Sequence, residues 1–168
     1  MVELMLANMV EICHKDSNQN KVMIVRIKRV DKKLPLPEYQ TNGSVGCDLY
    51  ARVTTKIPSK SLAKIPANII VETPPGFMFV VASRSSTPFK KGLMKANGIG
   101  IVDQDFSGPK DEINMSFFNF TENEIVVERG ERIAQGIFVS VGIADWLEVK
   151  SMGHNKSRGG FGSTGGHK

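Results

Sequence analysis

The 168 residues hold only two cysteines, Cys13 and Cys47, and three histidines, His14, His154 and His167. Neither cysteine falls in a Cys/His cluster with zinc-like spacing, so neither a disulfide framework nor a structural metal site is expected. A reducing, cytoplasmic setting fits that scarcity. The histidines lie outside the apolar segments, no Ser/His/Asp ordering is present, and no P-loop occurs, which leaves covalent catalysis and Walker-type phosphate binding without support. The run Gly159-Gly160-Phe161-Gly162 is no dinucleotide fingerprint, because neither a helix nor a βαβ unit follows it. Residues 1–13 are apolar, yet they carry Glu3 and Glu11, lack a basic leading segment and are too short to span a bilayer. We read residues 1–20 as an extension of unknown role, and no membrane partner is expected. Aromatics are missing from among the lysines that carry the formal charge of +5, and those lysines are scattered (Lys56, Lys60, Lys64, Lys90, Lys91, Lys95). A nucleic-acid surface is therefore not expected. A solvated basic surface explains the excess, and so does attraction for a small polyphosphate.

What is present suits a single domain with a substantial core: 40% hydrophobic and 23% charged residues. From Lys21 the pattern has period two, with Met23, Val25 and Ile27 on one face and Ile24, Arg26 and Lys28 on the other, the mark of a half-buried strand. Short apolar runs follow at residues 69–71, 77–82, 113–120, 125–127, 133–141 and 146–149. Turn residues separate them, among them Pro58, Pro66, Pro74-Pro75-Gly76, Gly108-Pro109, Asn123 and Arg129-Gly130. Such punctuation predicts an all-β sandwich or barrel spanning residues 21–150, with no internal repeat. One short helix is predicted over residues 85–95, capped by Ser85 or Ser86 with Pro88 in its first turn. Residues 151–168 hold little apolar mass beyond Met152 and Phe161, so a mobile, glycine-rich tail is expected. Its arginine, ring, hydroxyls and flexible amides are what a lid closing on phosphate would need.

The densest chemistry lies at residues 97–106, Asn97-Gly98-Ile99-Gly100-Ile101-Val102-Asp103-Gln104-Asp105-Phe106. We read it as a hairpin that holds a ligand and places the Asp103 carboxylate beside it to orient or deprotonate a water. A turn-forming aspartate is the plainer alternative. Ser83-Arg84-Ser85-Ser86-Thr87 gathers hydroxyls, amides and a guanidinium ahead of the helix, where either an anion site or a simple cap would look the same. Asp48 interrupts an apolar strand entry and has Arg132 as its expected partner. Glu131-Arg132-Ile133-Ala134-Gln135 brings a charge and an amide to the start of another strand.

Five stretches, taken in order, resemble the trimeric dUTP diphosphatase (dUTPase) family over residues 22–165. They are Val45-Gly46-Cys47-Asp48-Leu49-Tyr50-Ala51, then Ser83-Arg84-Ser85-Ser86, then residues 97–106, then Gly130-Glu131-Arg132-Ile133-Ala134-Gln135, and last Arg158-Gly159-Gly160-Phe161-Gly162-Ser163-Thr164-Gly165. The resemblance implies a jelly-roll β fold, a homotrimer with active sites shared between subunits, and hydrolysis of dUTP to dUMP and pyrophosphate with Mg2+ on the triphosphate. It implies that Asp103 activates the water attacking the α-phosphorus. Asn97 and nearby backbone groups, those of Gly100 and Val102, would read the uracil edge, and Phe106 would lie under the deoxyribose. Arg84, Ser85, Ser86 and Gln135 would hold the phosphates, and Asp48, paired with Arg132, would face the hydrated metal through water. Residues 151–168 would close as an arm, with Phe161 stacking on uracil, Arg158 meeting the γ-phosphate, and Gly160, Gly162 and Ser163 lining the bound nucleotide.

Four departures from the family pattern stand out. Ser83 and Ser86 replace the usual Pro and Gly, Phe106 replaces the commoner Tyr, and the turn at residues 108–112 is long. The tail places Lys156 where the family's arginine usually sits, so Lys156 is the alternative to Arg158, whose planar fork binds phosphate better. Two other readings compete: a dCTP deaminase or bifunctional dCTP deaminase/dUTPase, which needs a Glu where Asp103 stands, and a non-catalytic nucleotide-binding jelly roll.

Overall fold

The computed structural model describes residues 23–153, 156, 157 and 159. Among these, every paired strand is antiparallel, and the two larger sheets share one core. The first sheet has the order β2-β11-β6-β8, built from Cys47–Tyr50 (β2), Arg132–Ser140 (β11), Phe77–Ser83 (β6) and Gly100–Val102 (β8). The second has the order β4-β9-β7, from Leu62–Pro66 (β4), Asn114–Asn119 (β9) and Leu93–Lys95 (β7). Two further pairs, β1 (Ile27–Arg29) with β5 (Ile69–Val71) and β10 (Ile125–Val127) with β3 (Thr55–Ile57), complete a jelly-roll-like sandwich whose sheets do not close. The all-β expectation with one short helix holds. No helix among the described residues is long and apolar enough to cross a membrane.

Alternation builds the core. On β9, Met115, Phe117 and Asn119 turn inward while Asn114, Ser116 and Phe118 do not, as the two-residue repeat of a strand requires. Leu49, Ile57, Ile65, Leu93, Val127 and Ile133 are fully enclosed with them, and with residues of β5, β6 and β8 ten strands contribute to one apolar cluster. Each such side chain stabilises by about 1.5–3 kcal/mol. At the centre, the rings of Phe79 and Phe138 pack with centroids 4.8 Å apart. Gly136 on β11 lets Phe79 lie against its backbone: a Cβ there would sit 2.1 Å from the Phe79 ring. The one buried asparagine of β9 is fully used, Asn119 donating to the carbonyls of Ile57, Pro58 and Asn123 and accepting from Thr121.

Several elements differ from the sequence expectation. The first strand is paired only over Ile27–Arg29; Met23 and Val25 are half-buried and Ile24 and Arg26 exposed, as the period-two pattern requires, but Ile27, expected on the buried face, is 39% exposed. The helix is Thr87–Lys91, not residues 85–95. Gly92 ends it in the left-handed region at φ 65°, and Leu93–Lys95 pair with β9 instead of adding a further turn. Leu93 and Lys95 are buried and Met94 exposed, a pattern too short to distinguish strand from helix by periodicity. Strands β3 and β4 were not anticipated, since Lys56, Lys60 and Lys64 dilute the apolar signal there. Conversely, residues 146–149 form no strand: Trp146 is 93% and Leu147 87% exposed, with no neighbouring strand to pair.

Candidate active site

The β-bulge in β11 decides how the first, second and fourth stretches meet. Pairing with β2 runs Gln135 to Asp48 and Ala134 to Leu49, then slips so that Arg132 faces Tyr50, leaving Ile133 as the extra residue. The bulge turns the Ile133 carbonyl towards the second stretch, where it accepts from the Arg84 amide at 3.3 Å and the Thr87 hydroxyl at 2.8 Å. Thr87 is buried and opens the helix, so this bond fixes the helix and the Arg84 turn to the strand.

Asp48 sits at the centre with its side chain only 6% exposed. Its Oδ2 accepts from Arg132 Nη1 at 3.0 Å, the expected pair, and its Oδ1 lies 2.9 Å from Arg84 Nε. Arg84 Nη1 also donates to the Arg132 carbonyl at 3.2 Å. One carboxylate therefore orders two guanidiniums, and the triad keeps a net charge of +1, from two cations and one anion. Both arginines are about a third exposed, so the excess charge faces solvent, where planar forks suit phosphate oxygens. Gln135 lies beside them, its amide donating to the Ser83 carbonyl at 3.4 Å. Ser85 is exposed, and Ser86 precedes the helix with no side-chain capping bond. The helix has only five residues, so it adds little dipole, and the arginines dominate the local field.

The third stretch lies apart from this cluster. It is not a closed hairpin: β7 belongs to one sheet and β8 to the other, and the turn between them carries Asn97 across the edge of the sandwich. Val102 turns its side chain into the core, and Gly100 pairs with Val81. Beyond β8, Asp103 is exposed, and Phe106 is 42% exposed with its amide on the Asp103 carbonyl at 3.3 Å. Register gives the separation. Val102 pairs with Phe79, five residues before Arg84 on β6, which is roughly 17 Å at strand rise, and Asp103 continues away from Arg84. A single chain thus holds the phosphate-type cluster and the carboxylate at opposite ends of one strand.

The long turn at residues 108–112 has a defined anchor. Glu112 accepts from Arg52 Nε at 2.7 Å, from Arg52 Nη2 at 2.9 Å and from the Asn68 amide, while Asp111 accepts from the Gly108 amide at 2.7 Å. Sequence reading missed this pair, because Arg52 and Glu112 lie 60 residues apart with no local pattern joining them. A cavity of about 210 Å³ opens beside this turn, lined by Ile27, Ile70, Gly108 and Pro109, and it contains none of the anticipated site residues. Among the described residues no cluster of three His, Cys, Asp or Glu side chains could hold a metal. Residues 158 and 160–163, which include the anticipated Arg158, Gly160, Phe161, Gly162 and Ser163, lie outside the described residues; Lys156 is exposed.

Comparison with known proteins agrees with the order of these stretches. A family model described as dUTPase matches residues 32–165. A deoxyuridine 5'-triphosphate nucleotidohydrolase of Dictyoglomus turgidum is 35% identical over 146 residues, covering 84% of this chain and 97% of that protein. One from Anaplasma marginale is 36% identical over 149 residues, covering 86% and 98%. Among solved structures, a dUTPase from Streptococcus mutans is 28% identical with a TM-score of 0.66, covering 71% of this chain and 98% of that one. A variant dUTPase of Staphylococcus bacteriophage 80alpha, solved with dUpNHpp, has a TM-score of 0.75 at 22% identity, which speaks for the fold.

Proposed function

Because the chain belongs to the dUTPase family, we propose that it hydrolyses dUTP to dUMP and pyrophosphate in active sites shared between the subunits of a homotrimer. The observation that carries the activity is the match itself, which runs through all five stretches and nearly the full length of named dUTP nucleotidohydrolases. The shared site is supported by the roughly 17 Å or more, at strand rise, between Asp103 and Arg84 within one chain. The apolar side chains of Ile143, Trp146 and Leu147 favour it as well, since they are exposed on the isolated chain in a segment suited to docking on a neighbour.

In this reading the Asp103 carboxylate accepts a proton from water as its oxygen attacks the α-phosphorus. The bond from that phosphorus to the bridging oxygen breaks, and pyrophosphate leaves. Asn97 and the backbone of Gly100 and Val102 read the uracil edge, and the Phe106 ring lies against the deoxyribose. Arg84, Ser85, Ser86 and Gln135 hold phosphate oxygens, with negative charge growing on those oxygens towards the transition state. The arm at residues 151–168 closes to exclude bulk water, Phe161 stacking on the base and Arg158 on the γ-phosphate, with Gly160, Gly162 and Ser163 around them.

Magnesium fits the donor set only as a partner of the triphosphate. Asp48 offers one carboxylate whose two oxygens already accept from arginines, so it would meet a hydrated ion only through water and would form no cage. Bound so, the ion would neutralise phosphate charge. Cys47 is a free, buried thiol whose pKa burial raises, in keeping with a reducing cytoplasm.

Pyrophosphate release across dUTP, dCTP, dTTP and UTP with magnesium tests the assignment. Release from dUTP alone at a high rate is expected; equal rates on all four would sink it, and ammonia from dCTP would turn the reading towards a deaminase.

A further inference from the structure

Lys95 is the anomaly of the core. It closes β7, points inward beside Phe117 and is 7% exposed, the only lysine buried among the described residues. Its Nζ lies 5.4 Å from the centre of the Phe117 ring. Across the gap between the sheets stands Gly100, where a Cβ would lie 3.8 Å from that Nζ, an ordinary van der Waals contact, so the ammonium lies against the β8 backbone. β7 and β8 are edge strands of their respective sheets, and the turn joining them carries Asn97. The ammonium therefore sits in the seam directly behind the segment assigned to the base and the water.

An enclosed charge normally has a partner. Asp48 has two arginines, Lys91 has Glu131 at 2.9 Å, and Arg52 has Glu112. Lys95 has no salt bridge among the described residues. The strands packed around it, β6 (FMFVVAS), β8 (GIV) and β9 (NMSFFN), contain no titratable side chain, and β7 contributes only Lys95; the helix Thr87–Lys91, which also packs on β7, carries only the cations Lys90 and Lys91, of which Lys91 is paired with Glu131. Burial alone holds its amine below the ordinary lysine range.

We infer that Lys95 is a positioning residue of the nucleotide site: its ammonium, on a largely buried side chain between the two edge strands whose connecting turn carries Asn97 and beyond which Asp103 lies, takes the bound nucleotide's negative charge as its counter-charge. The inference rests on the dUTP reading above. A polyanionic ligand offers what the chain withholds, an anion near an enclosed cation in a medium of low dielectric. At a separation of about 10 Å and an effective dielectric near 20, one unit charge corresponds to on the order of tenfold in affinity. The effect falls on ground and transition states alike, so it moves KM and leaves kcat within about twofold.

The test measures binding of dUpNHpp to the full chain by titration calorimetry, and KM and kcat for dUTP, between pH 7 and pH 10. Wild type, Lys95→Met and Lys95→Arg are compared. The wild type is expected to bind tightly at pH 7 and to weaken about tenfold as Lys95 loses its proton, taking up a proton on binding in that range. Lys95→Met is expected to show the weak affinity already at pH 7, and Lys95→Arg, charged throughout, to stay tight. The uracil N3–H titrates in the same way in all three, so the differences between the curves carry the result. Superimposable profiles for wild type and Lys95→Met would overturn the inference and leave the dUTP reading intact; no binding to wild type at any pH would overturn both. Should Lys95→Met fail to fold, a Lys95→Arg profile that weakens in step with wild type would overturn the inference, and a flat, tight one would sustain it.

Discussion

The two halves of the proposed site are held by opposite means. Around Asp48 every group is tied within the chain: two guanidiniums on one carboxylate, a bulged carbonyl on the Arg84 turn, and Thr87 locking the helix in place. Around Asp103 almost nothing is tied: the residue is exposed, Phe106 is 42% exposed, and Asn97 lies on an exposed turn between sheets. A preorganised cationic cluster can wait for phosphate unaided. A carboxylate and a ring left in solvent need a second surface before they can exclude water and orient one molecule of it. The contrast fits chemistry spread along the chain, and it separates what folding supplies from what the proposed assembly would supply.

The sharpest way to break the contrast is Asp103→Asn. Because Asp103 has no side-chain hydrogen bond among the described residues, the fold and dUpNHpp binding should be kept while kcat falls by about 10²–10⁴, the range for a lost general base. Steady-state turnover read beside the thermal midpoint decides it; a loss of folding instead would show that the carboxylate is structural. Nearly as large is a recovery. Asp103→Asn and Arg84→Ala are each expected to be inactive, but after joint unfolding and refolding about one quarter of two-chain sites should draw an intact residue from each side. Activity near a quarter of wild type supports sharing. None at all means that both residues act from one chain.

The same contrast sets what could be read from sequence. The all-β architecture was legible because apolar runs and turn residues alternate, and the Asp48–Arg132 pair was legible because a charge in an apolar strand demands a partner. Asp48 reaching Arg84 as well was not, since the bulge at Ile133 that brings the second stretch close leaves no mark in residue type. The overextended helix failed at Gly92, whose left-handed conformation is dictated by β7 joining β9, a contact far along the chain. Residues 146–149 looked like a strand because apolar content is local, whereas pairing is not. Arg52–Glu112 and Lys95 show the limit most plainly: what a charged residue meets depends on register between sheets.

Smaller effects probe the tied half. Asp48→Ala leaves two guanidiniums facing one another, and about 3 kcal/mol of stability should be lost, at the low end for a buried ion group because the arginines are a third exposed. Urea unfolding measures it, and a loss below about 1 kcal/mol would mean that the bulge and Thr87 hold the cluster without the carboxylate. Gly136→Ala drives a methyl into the enclosed Phe79 ring and should cost about 1–3 kcal/mol, with both halves of the site weakened together because β6 carries the register of β8.

The smallest effect has the most informative sign. Lys95 has its pKa lowered by burial, so between that value and the ordinary lysine value the unfolded chain holds a proton that the folded chain has released. Unfolding then takes up a proton, and the Lys95 contribution to stability must rise with pH across that window. Lys95→Met removes the charge from the seam and fills it with a side chain of similar length, so the empty protein should gain on the order of 1 kcal/mol at pH 7, roughly 2–4 °C in Tm, and the pH-dependent rise should vanish. A variant that is more stable when empty yet binds dUpNHpp more weakly would mark the enclosed ammonium as a stability cost kept for the ligand, placing the seam with the half of the site that is completed from outside. A variant that loses stability would mean instead that Lys95 serves the fold through Phe117, and the seam would belong with the tied half.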